Sequence, residues 1–316
     1  MVITDHETHG HKVNGFVGDV LVITGEEITP NYSIKPDASG RMKGASLTNH
    51  LLALGIQQSI RSEDRSPQEL IDLVSDQGGL SFLAHPAEPG HSWVDWTVER
   101  FTGLEIWTYK AAWKRGLEAI ASKTYAWRNP DAVINGPAEE GLARWDRLGR
   151  SRRIVGLGSA DNHAYQREIE GVERVFFPWE VGLSGIVSYV WVEATRFAEQ
   201  PVTSFLDAVG SGSLIIAHDG LHVARGFRAT ARRKAESHVF LPGACINDAE
   251  DLVIEVHSPT LATLRILRDG ELMQEMRDLD QWDVLVDSPG VWRVEAKING
   301  RPWVLANPFY VGLWSE

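Results

Sequence analysis

Apolar and polar positions divide the chain into short apolar runs alternating with amphipathic stretches. Residues 1–4 read as a buried strand that delivers Asp5 and His6, and the β-branched run 16–25 reads as a second strand ending at Glu26 and Glu27. A loop rich in Pro, Gly and Ser follows, and residues 46–54, which include His50, have helical spacing and stop at Gly55. Ser66-Pro67-Gln68-Glu69 is a capping box with Pro at the first helical position, so a helix is expected to about Gln77, ahead of Gly78-Gly79. Residues 80–84 and 103–107 are short apolar strands, the first ending at His85-Pro86 and the second passing through Glu105. Helices are expected over about 111–126 and 137–149, then a strand over 153–158 that leads into Ser159-Ala160-Asp161-Asn162-His163. Such alternation predicts parallel β/α units, whose functional side chains stand at the C-terminal ends of the strands.

Beyond a helix opening at Pro201 the pattern changes, from about residue 237, to short alternating strands. Asp269-Gly270 and Asn299-Gly300 are hairpin-turn dipeptides set in apolar alternation. The expected fold class is therefore α/β, with a β/α barrel over residues 1–240 and a small antiparallel, sandwich-like β domain over 241–316.

Composition narrows the function. Hydrophobic residues are 43% and charged residues 23% of 316, which is ordinary for a folded chain. A formal net charge of −12 disfavours binding to phosphate backbones, so nucleic acid is not an expected partner. One cysteine, Cys245, leaves neither an intramolecular disulfide nor a thiolate metal cluster, and any metal must be held by His and carboxylates. The apolar stretch 181–192 is far short of the ~20 residues of a spanning helix, and no signal peptide is visible at the start, which reads like the middle of a domain.

Among the eleven histidines, His6, His50, His85 and His163 travel with Asp5, Glu27 and Asp161 at or near strand ends. Imidazole nitrogens and carboxylate oxygens suit Zn²⁺, Mn²⁺ or Fe ions, and a parallel barrel brings such strand ends to one face. Other features have plainer readings. His218-Asp219-Gly220 reads as a strand-end turn, the Arg225–Lys234 basic cluster as a solvated helix face, and Cys245 as a small hydrophobe. Trp93, Trp96 and Trp107 follow ligand-bearing strands and suit either an aromatic substrate pocket or core packing.

The segments Ile3-Thr4-Asp5-His6, Gly25-Glu26-Glu27-Ile28-Thr29, Asn49-His50-Leu51-Leu52, Leu83-Ala84-His85-Pro86 and Gly158-Ser159-Ala160-Asp161-Asn162-His163 resemble motifs of the PHP (polymerase and histidinol phosphatase) superfamily of metal-dependent hydrolases. Gly103-Leu104-Glu105-Ile106-Trp107 and Asn307-Pro308-Phe309-Tyr310-Val311 are similar to the CehA/McbA branch, named after a carbaryl hydrolase. The resemblance implies a distorted β/α barrel that binds up to three divalent ions. Its ligands carry over as His6, Glu27, His50, His85, Asp161 and His163, with Asp5 in a supporting position. It also implies cleavage of a small-molecule phosphoester, carbamate or related ester by a metal-activated water.

One departure is expected to matter. The family opens with a His-x-His strand that this chain lacks; His9-Gly10-His11 follows the Asp-His motif instead of preceding it, and His6-Glu7-Thr8-His9 has the wrong spacing for a zincin. The carry-over then leaves about one tight site, formed by Glu27, His50 and His85, and a reduced activity. The alternative is a catalytically impaired PHP domain whose β tail binds a ligand or partner.

Overall fold

The computed structural model describes residues 1–8, 13–30, 35–36, 42–43, 48–169 and 171–314. His9, Gly10 and His11 lie outside the described residues. The chain forms two compact units, Met1–Glu105 with Val192–Gly210, and Ile106–Trp191 with Ser211–Glu316.

In the first unit, β1 (Val2–Ile3) runs parallel to β3 (Val20–Ile28), and β2 (Gly15–Val17) pairs antiparallel with the start of β3. The run 16–25, expected as a single strand, is thus split. Gly18 adopts φ 58° and the chain reverses so that Val17 faces Val20, a turn that the Gly-Asp pair inside the run permits. The buried β4 (Leu51–Leu54) stands where helical spacing predicted a helix over 46–54. Leu51-Leu52-Ala53-Leu54 is a continuous apolar run, and periodicity alone cannot tell a strand buried on both faces from a buried helical turn.

β4 pairs antiparallel with β3 and with β5 (Leu80–Leu83), while β5 runs parallel to β6 (Gly103–Thr108). The parallel alternation therefore fails at β4, because the helix α1 (Pro67–Asp76) between β4 and β5 returns the chain without a full crossover. α1 begins as expected: the Ser66 hydroxyl accepts the Glu69 N–H, and the Glu69 carboxylate accepts the Ser66 N–H at 2.8 Å. Its Leu70, Ile71 and Val74 are buried. Close packing of β3 on β4 depends on Gly25, where a Cβ would lie 2.5 Å from the carbonyl oxygen of Ala53.

In the second unit the helix expected over 111–126 is two, α2 (Tyr109–Ala119) and a short turn of helix Lys123–Arg128, since Ile120 leaves the helical region at φ −111°, ψ 136°. α3 (Glu139–Gly149) and β7 (Val155–Ser159) fall where the pattern placed them. A large sheet follows, built from β8 (Ile186–Val190), β9 (Leu214–His218), β10 (Arg228–Arg233), β11 (Leu252–Arg268), β12 (Glu271–Leu285), β13 (Gly290–Ile298), β14 (Arg301–Ala306) and β15 (Phe309–Val311). Its main path runs β8-β9-β14-β13-β11-β10, with neighbours on that path antiparallel, and β12 pairs with β11.

Both turn dipeptides close hairpins as expected. Asp269 and Gly270 (φ 55° and 87°) join β11 to β12, and Asn299 and Gly300 (φ 51° and 77°) join β13 to β14, with positive φ at both positions as a type I′ turn requires. The basic cluster read as a helix face is corrected: Arg228, Arg232 and Arg233 lie on β10, and Arg232 pairs with Glu255 of the neighbouring β11 at 2.7 Å and Arg233 with Asp248 at 2.8 Å. The chain is mixed α/β, and among the described residues no helix is long and apolar enough to cross a membrane.

Candidate metal centre

Four of the six expected ligands belong to the first unit, and its strands bring them to one point. His6 continues β1 as a parallel bridge to Glu27, fixed by Glu7 N–H to the Glu27 carbonyl and Glu27 N–H to the Asp5 carbonyl, both at 3.1 Å. Asp5 thus supports the site through its backbone. Glu27 lies near the end of β3 at 6% exposure. His50 immediately precedes β4 and is set by Asn49, which takes φ 63° and accepts the N–H groups of Val94 and Asp95 on its Oδ1 at 2.7 and 3.1 Å. His85 follows β5 in a positive-φ conformation (30°), its N–H donated to Glu105 Oε2 at 2.7 Å. A non-glycine residue in that region costs of order 1–3 kcal/mol, and such strain concentrates at functional sites.

Glu27 is the hub. His50 Nδ1 is 2.7 Å and His85 Nε2 3.3 Å from Glu27 Oε1, and His6 Nε2 is 3.8 Å from Glu27 Oε2. The rings stand edge to face, 5.6 Å between His6 and His50 and 5.1 Å between His50 and His85. His50 and His85 are buried at 7% and 5%, while the His6 side chain is 42% exposed, so the cluster has a closed floor and one open side. Burial pushes the Glu27 carboxyl up, but the hydrogen bonds from His50 and His85 outweigh it and hold the group well below the usual carboxylate range.

The donor set fits a divalent ion. Atoms of His6, Glu27 and His50 all lie within 4.8 Å of one another, a spacing that bonds of ~2.0–2.2 Å to a shared ion can span. Neutral imidazoles with one buried anionic carboxylate are the ligands that Zn²⁺, Mn²⁺ or Fe²⁺ take.

Around this set stand carboxylates that were not among the expected ligands. Glu88 Oε2 lies 3.5 Å from His85 Nδ1 at 1% exposure, a charge contact beside the imidazole. Glu26, fully buried, accepts the Ser59 hydroxyl at 2.7 Å and the Ile60 N–H at 3.1 Å. Glu7 accepts the Thr29 N–H and the Ser62 hydroxyl, and burial pushes its carboxyl up. His91 also joins the ring cluster, 6.0 Å from His50 and 6.2 Å from His85. The sequence signal for Glu88 and His91 is their short spacing after His85 on one loop.

Asp161 and His163 belong to the second unit. Asp161, at φ 46°, accepts Lys110 Nζ on Oδ2 at 2.8 Å, and His163 Nδ1 is 3.4 Å from its Oδ1 while the imidazole stacks on Tyr165 at 4.8 Å. His218 ends β9 fully buried, edge-on to Trp107 and 3.5 Å from Asp131 Oδ1; Asp219 forms the turn by accepting the Tyr189 hydroxyl and the Ala224 N–H. Trp93 and Trp107 are buried at 2% and 0%, so both are core residues in their own units.

No family model matches the chain, and no curated protein matches it. A solved structure, a two-domain protein containing a predicted PHP-like metal-dependent phosphoesterase from Bacteroides vulgatus, aligns over 97% of this chain and 85% of its own, at 9% identity and a TM-score of 0.36. A likeness of that score carries no argument.

Proposed function

We propose that the chain is a metal-dependent hydrolase of the PHP type that cleaves a small phosphoester, carbamate or related ester. The observation that carries this reading is the convergence of His6, His50 and His85 on the buried carboxylate of Glu27. A divalent ion held there supplies a Lewis acid and lowers the pKa of a coordinated water.

The chain's own residues account for the rest. Glu27 keeps its negative charge despite burial, so it offers an anionic oxygen without first losing a proton. The Glu105 carboxylate accepts the His85 backbone N–H and so holds that ligand's position, while the buried Glu88 carboxylate places negative charge 3.5 Å from its Nδ1. The exposed flank at His6 is the side from which substrate and water enter. Asp161 and His163 are proposed as further ligands on the sequence motif alone.

The test is metal content together with turnover of an aryl phosphate and an aryl carbamate. Wild type is expected to retain divalent metal and hydrolyse one of the two substrates. Glu27→Gln keeps the side-chain shape but removes the anionic donor, and it is expected to lose both metal and activity, as is His85→Ala. Activity indifferent to both substitutions would sink the proposal. The substrate that turns over separates the phosphoester from the carbamate reading.

A further inference from the structure

His91 stands outside the six residues that the motifs single out, on the loop that follows β5. Backbone hydrogen bonds curl this loop back on itself: Glu88 N–H donates to the His85 carbonyl at 2.9 Å, His91 N–H to the Glu88 carbonyl at 3.1 Å, and Trp93 N–H to the Pro86 carbonyl at 3.0 Å. The buried Trp93 pins the far end, its indole N–H donated to the Asp95 carbonyl at 2.6 Å. The curl returns the His91 ring to the cluster, edge-on to His50 (72°) and to His85 (89°).

Ring separations show what this placement permits. With a metal–nitrogen bond of ~2.0–2.1 Å and a further ~1.15 Å to the ring centre, two imidazoles on one ion have centroids about 5.2 Å apart at the tetrahedral angle and at most about 6.4 Å apart. His50 and His85 are 5.1 Å apart, and His6 and His50 are 5.6 Å apart. His91 is 6.0 Å from His50 and 6.2 Å from His85, inside the outer limit for both. The three separations together exceed what one ion can span at these bond lengths, so coordination by His91 requires its ring to turn inward towards His50 and His85.

We propose that His91 is an additional metal ligand, so that the centre in the first unit presents the four imidazoles of His6, His50, His85 and His91 around the Glu27 carboxylate. This rests on the metal reading above. Its consequence is a site that draws its donors from the Asp5-His6 strand end, β3, the start of β4 and a single loop after β5. That loop contributes His85 and His91 together, with the Glu88 carboxylate between them in sequence.

Zinc is the probe. Apo protein is reloaded with Zn²⁺, its affinity is measured by competition with a chromophoric chelator, and the imidazole scatterers around zinc are counted by X-ray absorption. Wild type reloaded with one equivalent of Zn²⁺ is expected to show four imidazoles. His91→Ala and His91→Gln are each expected to show three and to bind zinc at least tenfold more weakly, with added free imidazole restoring affinity in His91→Ala. His91→Gln retains a polar side chain of similar reach, so it reads the ligand loss if the alanine variant proves unstable by circular dichroism. Unchanged affinity and an unchanged imidazole count in both variants, alongside loss of zinc in Glu27→Gln, would overturn the role of His91 alone. Failure of wild type to hold zinc would overturn the metal reading itself.

Discussion

Removing Arg293 should expose how strongly the second unit depends on one buried charge pair. Its side chain on β13 is 2% exposed, and its guanidinium grips Asp146 of α3 as a fork, Nη1 to Oδ1 at 2.8 Å and Nη2 to Oδ2 at 3.2 Å. Nη2 also lies 3.1 Å from Glu295 Oε1, and the guanidinium sits over the Trp145 ring at 5.0 Å. In Arg293→Met the stem volume is largely kept and the charge is lost. Glu295 retains Arg265 at 2.6 Å, but Asp146 is left buried without this partner. Breaking a buried pair from one side costs about 3–5 kcal/mol, and for a unit of this size, where 1 kcal/mol shifts the midpoint by ~2–4 °C, that is a fall of roughly 6–20 °C in its melting transition.

The pH dependence gives a sharper signature. Burial already pushes the Asp146 carboxyl above its ordinary value, with Arg293 opposing that rise. Without Arg293 the folded-state value climbs further above the unfolded one, so the folded state binds the extra proton and gains stability as pH falls through the raised value. The deficit of Arg293→Met relative to wild type, measured by urea unfolding, should therefore shrink from pH 8 to pH 5. Adding Asp146→Asn to the variant should cost less than the sum of the single changes, since the orphaned charge is gone. A loss below about 1 kcal/mol at neutral pH, or a deficit that widens in acid, would refute the assignment of this pair as a buried, uncompensated-on-removal charge.

The remaining predictions concern the first unit. Ser66→Ala should destabilise it by about 0.5–2 kcal/mol through loss of the α1 cap, read by thermal melting. The hydrogen bonds from Ser66 hold the Glu69 carboxyl below its ordinary value, so the capping box stabilises above the unfolded-state pKa and is lost as pH falls through the folded one; an NMR titration of Glu69 with a midpoint at or above the ordinary value would contradict this. Gly25→Ala drives a methyl against the Ala53 carbonyl and should cost about 1–3 kcal/mol while weakening zinc binding, because β3 carries Glu27 and its neighbour β4 follows His50; an alanine variant of wild-type stability and affinity would show that the two strands tolerate separation.

Local chemistry made several elements legible before any coordinates. The Ser66–Glu69 capping box started a helix where it should, and the Asp269-Gly270 and Asn299-Gly300 turns closed hairpins, because each depends on backbone and side-chain groups within a few residues. The same locality made His6, Glu27 and His85 recognisable as residues at strand ends, while His50 was read as lying on a helix. Strand direction was not legible: β4 was read as helix and proved antiparallel to both neighbours, since a four-residue apolar run has no period and its pairing is decided by which strands lie beside it. Nor could the pattern single out Glu88 and His91, whose importance comes from a loop folding back on His85 and His50. The sequence by itself determined which residue types were available to bind a metal and which short segments would turn or cap. Only the tertiary structure decided which of them share a carboxylate, because convergence on Glu27 is a long-range property of strand register, and register follows from packing across the sheet and not from neighbours in the chain.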